Sequence, residues 1–419
     1  MQDTGVTLAG ILAARDAIRP SIRTTPMLPS GFLERATGVP VLLKCEQLQR
    51  TGSFKIRGAT NFVLRLSPEE RGRGLVVASA GNHAQGVALA ACSRGIDVTV
   101  VMPLTAPLAK VNATAGYGAR VVLHGASLEE ARTEARETAT REGRIYVPPF
   151  DHDAIIAGQG TVGLEILEQA PDVEEILVPA GGGGLLAGIA TAVKALKPGV
   201  RLVGVQAASM DGIQRSRAVG RALELTHART IADGVAVAGP SERTFALIER
   251  FVDEIVTCTE EAIAHAMVLL IERSKLIVEG AGALAVAALQ SGAYRPRGTT
   301  VAVLSGGNID INLLGSIVRR GLVDAGRYAH LIVELSDTPG ELGLVATVIG
   351  QAGANVLEVD HNREARDVAI GVVVVDLLLE VNGTAHFEAV IRALGEHGLR
   401  AISQGPARLA TEDARSHTR

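Results

Sequence analysis

Short runs of Val, Ile and Leu recur through the first 305 residues, at Leu75 to Ala78, Val98 to Met102, Arg120 to Leu123, Ile176 to Val178, Leu202 to Val205 and Val301 to Leu304, with helical stretches between them. That alternation predicts α/β units. Each run is continuously apolar instead of alternating with polar residues, which predicts parallel strands buried on both faces. Several runs lead straight into turns of small polar residues: Ser79-Ala-Gly-Asn, Gly181-Gly-Gly-Gly and Ser305-Gly-Gly-Asn. These turns fall at the carboxyl ends of strands, where open α/β sheets hold their ligands.

After about Arg327 the pattern changes. His330 to Leu335 reads as a strand, Pro339 to Gly350 as a helix, Asn355 to Asp360 and Val368 to Val381 as strands, Ala385 to Leu394 as a helix and Leu399 to Ser403 as a final strand. The order β-α-β-β-α-β is ferredoxin-like and predicts a separate small α+β domain. The expected division is a catalytic region over 1–320, a linker over 321–328 that overlaps the Arg319 to Gly326 stretch, a second domain over 329–405, and a disordered tail over 406–419.

Composition narrows the partners. The 419 residues are 47% hydrophobic and 21% charged, with a net charge of -4, which gives no electrostatic reason to expect nucleic acid or an anionic membrane. The longest uncharged run, near Leu177 to Val193, is broken by Pro179 and four glycines, so no membrane span is expected. Val6 to Ala14 reads as an amphipathic helix and not a signal core, because no positive charge precedes it. The three cysteines, Cys45, Cys92 and Cys258, stand far apart, which fits a reducing, cytoplasmic compartment and suggests neither disulfides nor zinc. Forty-seven glycines against 3% aromatics favour tight turns and close backbone approaches. A small molecule is the expected partner.

Lys55 lies among small residues in Thr51-Gly-Ser-Phe-Lys-Ile-Arg-Gly-Ala, just before an apparent helix over Ala59 to Leu66. A lysine amine is a useful nucleophile only when neutral, and burial favours that form. Alone, such a lysine is ordinarily a solvated surface residue. Val178-Pro-Ala followed by Gly181 to Leu185 reads as strand, glycine loop and helix start, where backbone N–H groups converge on an anion. A dinucleotide fingerprint would need an acidic residue ending the next strand; Gln206 stands there instead. Ser79, Asn82 and His83 could grip a carboxylate and a ring hydroxyl, or be no more than a helix cap and a surface histidine. Together, one phosphate loop, one amine and two polar strand-end turns meet the needs of a phosphorylated aldehyde cofactor.

The first 320 or so residues resemble the fold type II pyridoxal-phosphate enzymes, in the threonine ammonia-lyase and serine racemase branch. The matching segments are Arg23-Thr-Thr-Pro, Thr51 to Ala59, Ser79-Ala-Gly-Asn-His-Ala-Gln-Gly, Ile156-Ala-Gly-Gln-Gly-Thr, Gly181-Gly-Gly-Gly-Leu, Ala232-Asp-Gly, Glu279-Gly-Ala-Gly-Ala and Ser305-Gly-Gly-Asn, in matching order and spacing. The resemblance implies two doubly wound parallel-sheet lobes, the smaller inserted over roughly 52–147, and pyridoxal 5'-phosphate as cofactor. It implies that Lys55 joins the cofactor aldehyde and later moves the Cα proton, that Gly181, Gly182, Gly183, Gly184 and Leu185 hold the phosphate, and that Asn82 meets the ring hydroxyl. Ser305 would face the pyridine nitrogen, and Ser79, Gly81 and His83 the substrate carboxylate. A serine cannot hold a charged pyridinium as an aspartate would, which favours elimination over transamination.

The implied reaction turns threonine into 2-oxobutanoate and ammonia, with serine giving pyruvate as a side activity. Racemases of the branch carry a proton-transferring serine where this chain has Ala80, and begin a divalent-metal site with glutamate where it has Gln206, so neither racemization nor a metal site is expected. Residues 329–405 resemble an ACT domain through Asp337-Thr-Pro-Gly-Glu-Leu and Ala352-Gly-Ala-Asn-Val, which implies edge-to-edge pairing in a homodimer or homotetramer and an amino-acid effector such as isoleucine or valine. Oligomerisation alone is the plainer role for such a domain. A lyase for another β-hydroxy amino acid, a serine racemase-like enzyme and an inert amino-acid sensor are the alternative functions, and biosynthetic and catabolic roles both stay open.

Overall fold

A computed structural model describes residues 5–225, 229–363, 369 and 371–406. Its strands are β1 (Met27–Pro29), β2 (Val41–Cys45), β3 (Leu75–Ala78), β4 (Val98–Met102), β5 (Arg120–Leu123), β6 (Ile145–Tyr146), β7 (Glu175–Pro179), β8 (Arg201–Ala207), β9 (Glu254–Cys258), β10 (Thr300–Leu304), β11 (Tyr328–Ser336), β12 (Asn355–Asn362), β13 (Val372–Glu380) and β14 (Arg400–Pro406). The first compact unit ends at Asp310. It holds a six-stranded sheet in the order β1-β2-β10-β7-β8-β9 and a four-stranded sheet in the order β5-β4-β3-β6. Only β1 runs antiparallel to its neighbour; the other pairs are parallel.

The unbroken apolar runs account for the parallel sheets. Every residue of β3, β4, β7 and β10 is buried. The β5 run is partly exposed because it lies at the sheet edge, with β4 as its one neighbour. The four-stranded sheet lies within 75–146, inside the segment expected to form the smaller lobe. Its core joins Val77, Val98 and Val100 to Val63, Ala84 and Val87.

The two parts of this unit are joined by helices that cross at backbone contact. Helix Lys55–Leu64 meets helix Asp153–Gln169 where a Cβ on Gly158 would lie 2.6 Å from the Gly58 Cα, so neither position accepts a side chain without a shift. Beside the crossing, the buried Arg57 guanidinium donates to Glu46 at 2.8 Å and to Glu165 at 2.6 Å, and the buried Lys44 amine donates to Glu165 at 2.6 Å. Two cations and two carboxylates thus satisfy one another away from water.

The second compact unit begins at Ile311. Its sheet order, β12-β13-β11-β14, with every pair antiparallel, is the ferredoxin-like arrangement. Buried and half-buried positions alternate along β11, and Leu331, Val333, Val375 and Leu377 pack with Val345 and Ile349 of helix Glu341–Gln351 and Val390 and Leu394 of helix Thr384–Glu396. The boundary lies ten residues before the expected one at 320. Helix Ile311–Asp324 occupies much of the stretch read as linker, and its Ile317 and Val323 are buried. Val368, the expected start of the long strand, and all of the tail beyond Pro406 lie outside the described residues.

Candidate functional site

Three strand-end turns converge on one cavity of about 450 Å³. The turns after β3, β7 and β10 line it, and so do Lys55, Ser79, Ala80, Gly81, Asn82, His83, Gly181 to Leu185 and Ser305. Every site residue expected from the sequence therefore faces the same space.

Lys55 opens its helix, four residues earlier than the Ala59 start expected from the sequence, so the amine leaves the first turn and reaches the Pro149 carbonyl at 2.8 Å. Burial lowers its pKa to about 8, against a smaller opposite pull from Glu279. At neutral pH the amine is still mostly protonated, but its neutral fraction, about a tenth, is far larger than that of a solvated lysine.

The glycine loop has its composition for steric reasons. A methyl on Gly182 would lie 2.5 Å from the Phe150 ring, one on Gly181 would lie 2.8 Å from the Val235 Cα, and Gly183 sits at φ 87°. The first backbone bond of the following helix runs from Ala187 to Gly183, leaving the N–H groups of Gly184, Leu185 and Leu186 without intrahelical acceptors. Such an end is an anion site by geometry and dipole. With a lysine of lowered pKa in the same cavity, the residues fit a phosphorylated aldehyde.

Helix Asn82–Cys92 begins in the same way, with Gln85 donating to Gly81 and the N–H groups of Asn82, His83 and Ala84 left over. The His83 ring is already engaged: Nε2 pairs with the Val147 carbonyl at 3.1 Å, and burial, reinforced by Lys55, lowers its pKa to about 3. A neutral ring so engaged leaves its backbone N–H as the group that a carboxylate could use. The Asn82 amide donates to Glu279 Oε1 at 2.6 Å and accepts from Asn308 at 2.6 Å. The Ser305 turn is strapped to the lysine turn by Phe54 N–H to Ser305 O at 3.1 Å, Gly307 N–H to Gly52 O at 2.9 Å and Asn308 Nδ2 to Thr51 O at 2.7 Å.

Glu279, Asn308, Pro149 and Phe150 also line the cavity, and none was given a role from the sequence. Glu279 and Asn308 belong to quoted motifs, so a signal existed for them. Pro149 and Phe150 follow Val147-Pro with no polar cue. Gln206 spends its amide on the carbonyls of Ala180 and Met210 and on the Gln214 N–H, and among the described residues no His, Cys, Asp and Glu cluster is placed to hold a metal. No described helix is long and apolar enough to cross a membrane.

The chain is similar in sequence and fold to known proteins. A protein of Geobacter sulfurreducens named L-threonine ammonia-lyase is 46% identical over 385 residues, covering 92% of this chain and 96% of that one. The crystal structure of a threonine deaminase from T.th. is similar at a TM-score of 0.69 and 44% identity, over 73% of this chain and 99% of that one. Maize serine racemase is similar at a TM-score of 0.72 and 34% identity, over 76% of this chain and 98% of that one. The family described as pyridoxal-phosphate dependent enzyme matches residues 18–306, and it is to this family that the chain belongs.

Proposed function

We propose that the chain is an ammonia-lyase for small β-hydroxy amino acids, L-threonine above all, releasing 2-oxobutanoate and ammonia, with L-serine giving pyruvate as a side activity. The observation that carries this reading is the Lys55 amine, lowered to about 8, in one cavity with a glycine-turn helix end and a second helix end formed by Asn82 and His83. The relatives named for threonine support the substrate choice.

Bound pyridoxal phosphate supplies a ring that withdraws electrons from the substrate's Cα once the amino group is joined to it. Lys55 then takes the Cα proton in its neutral form, its Nζ steered by the Pro149 carbonyl. The N–H groups of Gly184 and Leu185, with the glycine turn before them, hold the phosphate. Asn82 would donate to the ring hydroxyl of the bound cofactor, and Ser305 would offer its hydroxyl to the pyridine nitrogen. Ser79, Gly81 and the His83 backbone hold the substrate carboxylate. Ala80 lines the cavity without an ionisable group, which disfavours the proton return that a racemase needs.

Residues 329–405 are read as an ACT-type regulatory domain that binds an amino-acid effector and pairs copies of the chain. Supporting that pairing, the β12 edge leaves Leu357 and Val359 exposed. A cytoplasmic setting is part of this reading, in keeping with three free cysteines. The deciding experiment records the cofactor absorbance of the purified protein before and after L-threonine, with 2-oxobutanoate and ammonia assayed together. Bound cofactor with neither product from threonine or serine would overturn the assigned substrate; no cofactor binding would overturn the enzyme reading.

A further inference from the structure

Glu279 stands at the N-cap of helix Gly280–Ser291 yet makes no side-chain bond to that helix. Glutamate is not among the residues favoured at this position, where Ser, Thr, Asp and Asn cap best, so capping does not explain it. The residue is 8% exposed and lines the site cavity. Oε1 accepts from Asn82 Nδ2 at 2.6 Å, while Asn82 Oδ1 accepts from Asn308 Nδ2 at 2.6 Å. The neighbouring turn leaves room for this carboxyl: a methyl on Gly306 would fall 2.3 Å from Oε1.

An ionised carboxylate can only accept hydrogen bonds, so in that form Glu279 decides which end of the Asn82 amide turns toward it. One Nδ2 hydrogen goes to Glu279, and the second remains to donate into the cavity that both residues line. The charged groups around Glu279 are Lys55, Lys110 and Asp233, with Lys110 paired to Asp233 at 3.3 Å; the His83 ring nearby is neutral. Burial pushes the Glu279 carboxyl up to about 7, opposed by the Asn82 bond and Lys110, and its charge in turn favours the protonated form of Lys55.

We propose that Glu279 is a positioning residue, which orients the Asn82 amide toward the cofactor's ring hydroxyl and, when ionised, adds a negative charge that favours the protonated form of the nitrogen at Lys55. The proposal rests on the roles given above to Lys55 and Asn82. Its test is a pH titration of the bound cofactor's absorbance, with the affinity for pyridoxal phosphate, in the wild type and in Glu279→Gln, Glu279→Asp and Glu279→Ala.

Glu279→Gln keeps an acceptor oxygen for Asn82 and removes the charge. The expected result is cofactor affinity within about threefold of wild type and a titration midpoint lower by about one pH unit, because a nearby carboxylate favours the protonated form. Glu279→Asp should return the midpoint toward wild type. Glu279→Ala leaves the Asn82 amide unpaired and should weaken cofactor binding about tenfold. An unchanged midpoint in Glu279→Gln overturns the proposal, and that outcome is readable even if the alanine variant fails to fold. Wild-type cofactor binding by both Lys55→Ala and Asn82→Ala would instead overturn the site reading on which the proposal rests.

Discussion

The Lys55 amine donates to the main-chain carbonyl of Pro149 across 2.8 Å, although 94 residues separate them in the sequence. The acceptor carries no formal charge, so it aims the nitrogen without holding it as an ammonium in the way that a carboxylate would. Burial therefore governs the titration, and the amine sits near 8.

Lys55→Ala should lower keto-acid formation from threonine by about a thousandfold or more, because both the covalent attachment point and the base are lost. Single-turnover assays with cofactor in excess would measure it. Activity within tenfold of wild type would assign the proton transfer to another group.

The lowered lysine also predicts a pH effect on the protein without cofactor. The folded pKa, about 8, lies below the unfolded value near 10.5, so the unfolded state binds more protons between these limits and stability rises with pH across that window. Below pH 8 the buried ammonium destabilises the fold in full. Lys55→Met should therefore raise the melting temperature more at pH 7 than at pH 10.5, as calorimetry on cofactor-free protein would register; an equal gain at both would contradict the lowered value.

Gly182→Ala places a methyl 2.5 Å from the Phe150 ring and should weaken cofactor affinity by about tenfold or more, through overpacking of the phosphate turn. Phe150→Ala in the same chain should recover part of the loss, a coupling that a double-mutant cycle reads directly. Additive losses would place the damage elsewhere than at this contact.

Arg57 serves two buried carboxylates at once. Arg57→Met should destabilise the catalytic unit by about 3–5 kcal/mol, since Glu46 and Glu165 would lose their shared partner inside the protein. Urea unfolding measures this. A loss below about 1 kcal/mol would mean that water reaches the pair.

The architecture was legible where hydrophobic runs were long and buried on both faces: Leu75 to Ala78 and Val98 to Met102 are strands with the bounds that the pattern gave them. The Lys55 helix was less so. Its first turn contains glycine and charged residues, and it forms because tertiary contacts from Ser305, Gly307 and Asn308 fix the preceding turn. Motif density revealed the residues that line the cavity. It could not reveal Pro149, which acts through a carbonyl common to every residue type, or the neutral state of His83, which depends on burial and on the Val147 carbonyl.

The strap between Asn308 and Thr51 joins positions 257 residues apart. On the ribosome, therefore, the lysine turn is made early and lacks its support until nearly the whole catalytic unit has been synthesised. Until the last strand docks, the lysine is expected to react with free aldehydes no faster than any solvated amine. Chains truncated before Ser305 should accordingly label with pyridoxal phosphate no faster than an unstructured peptide, while chains reaching residue 310 should label selectively at Lys55.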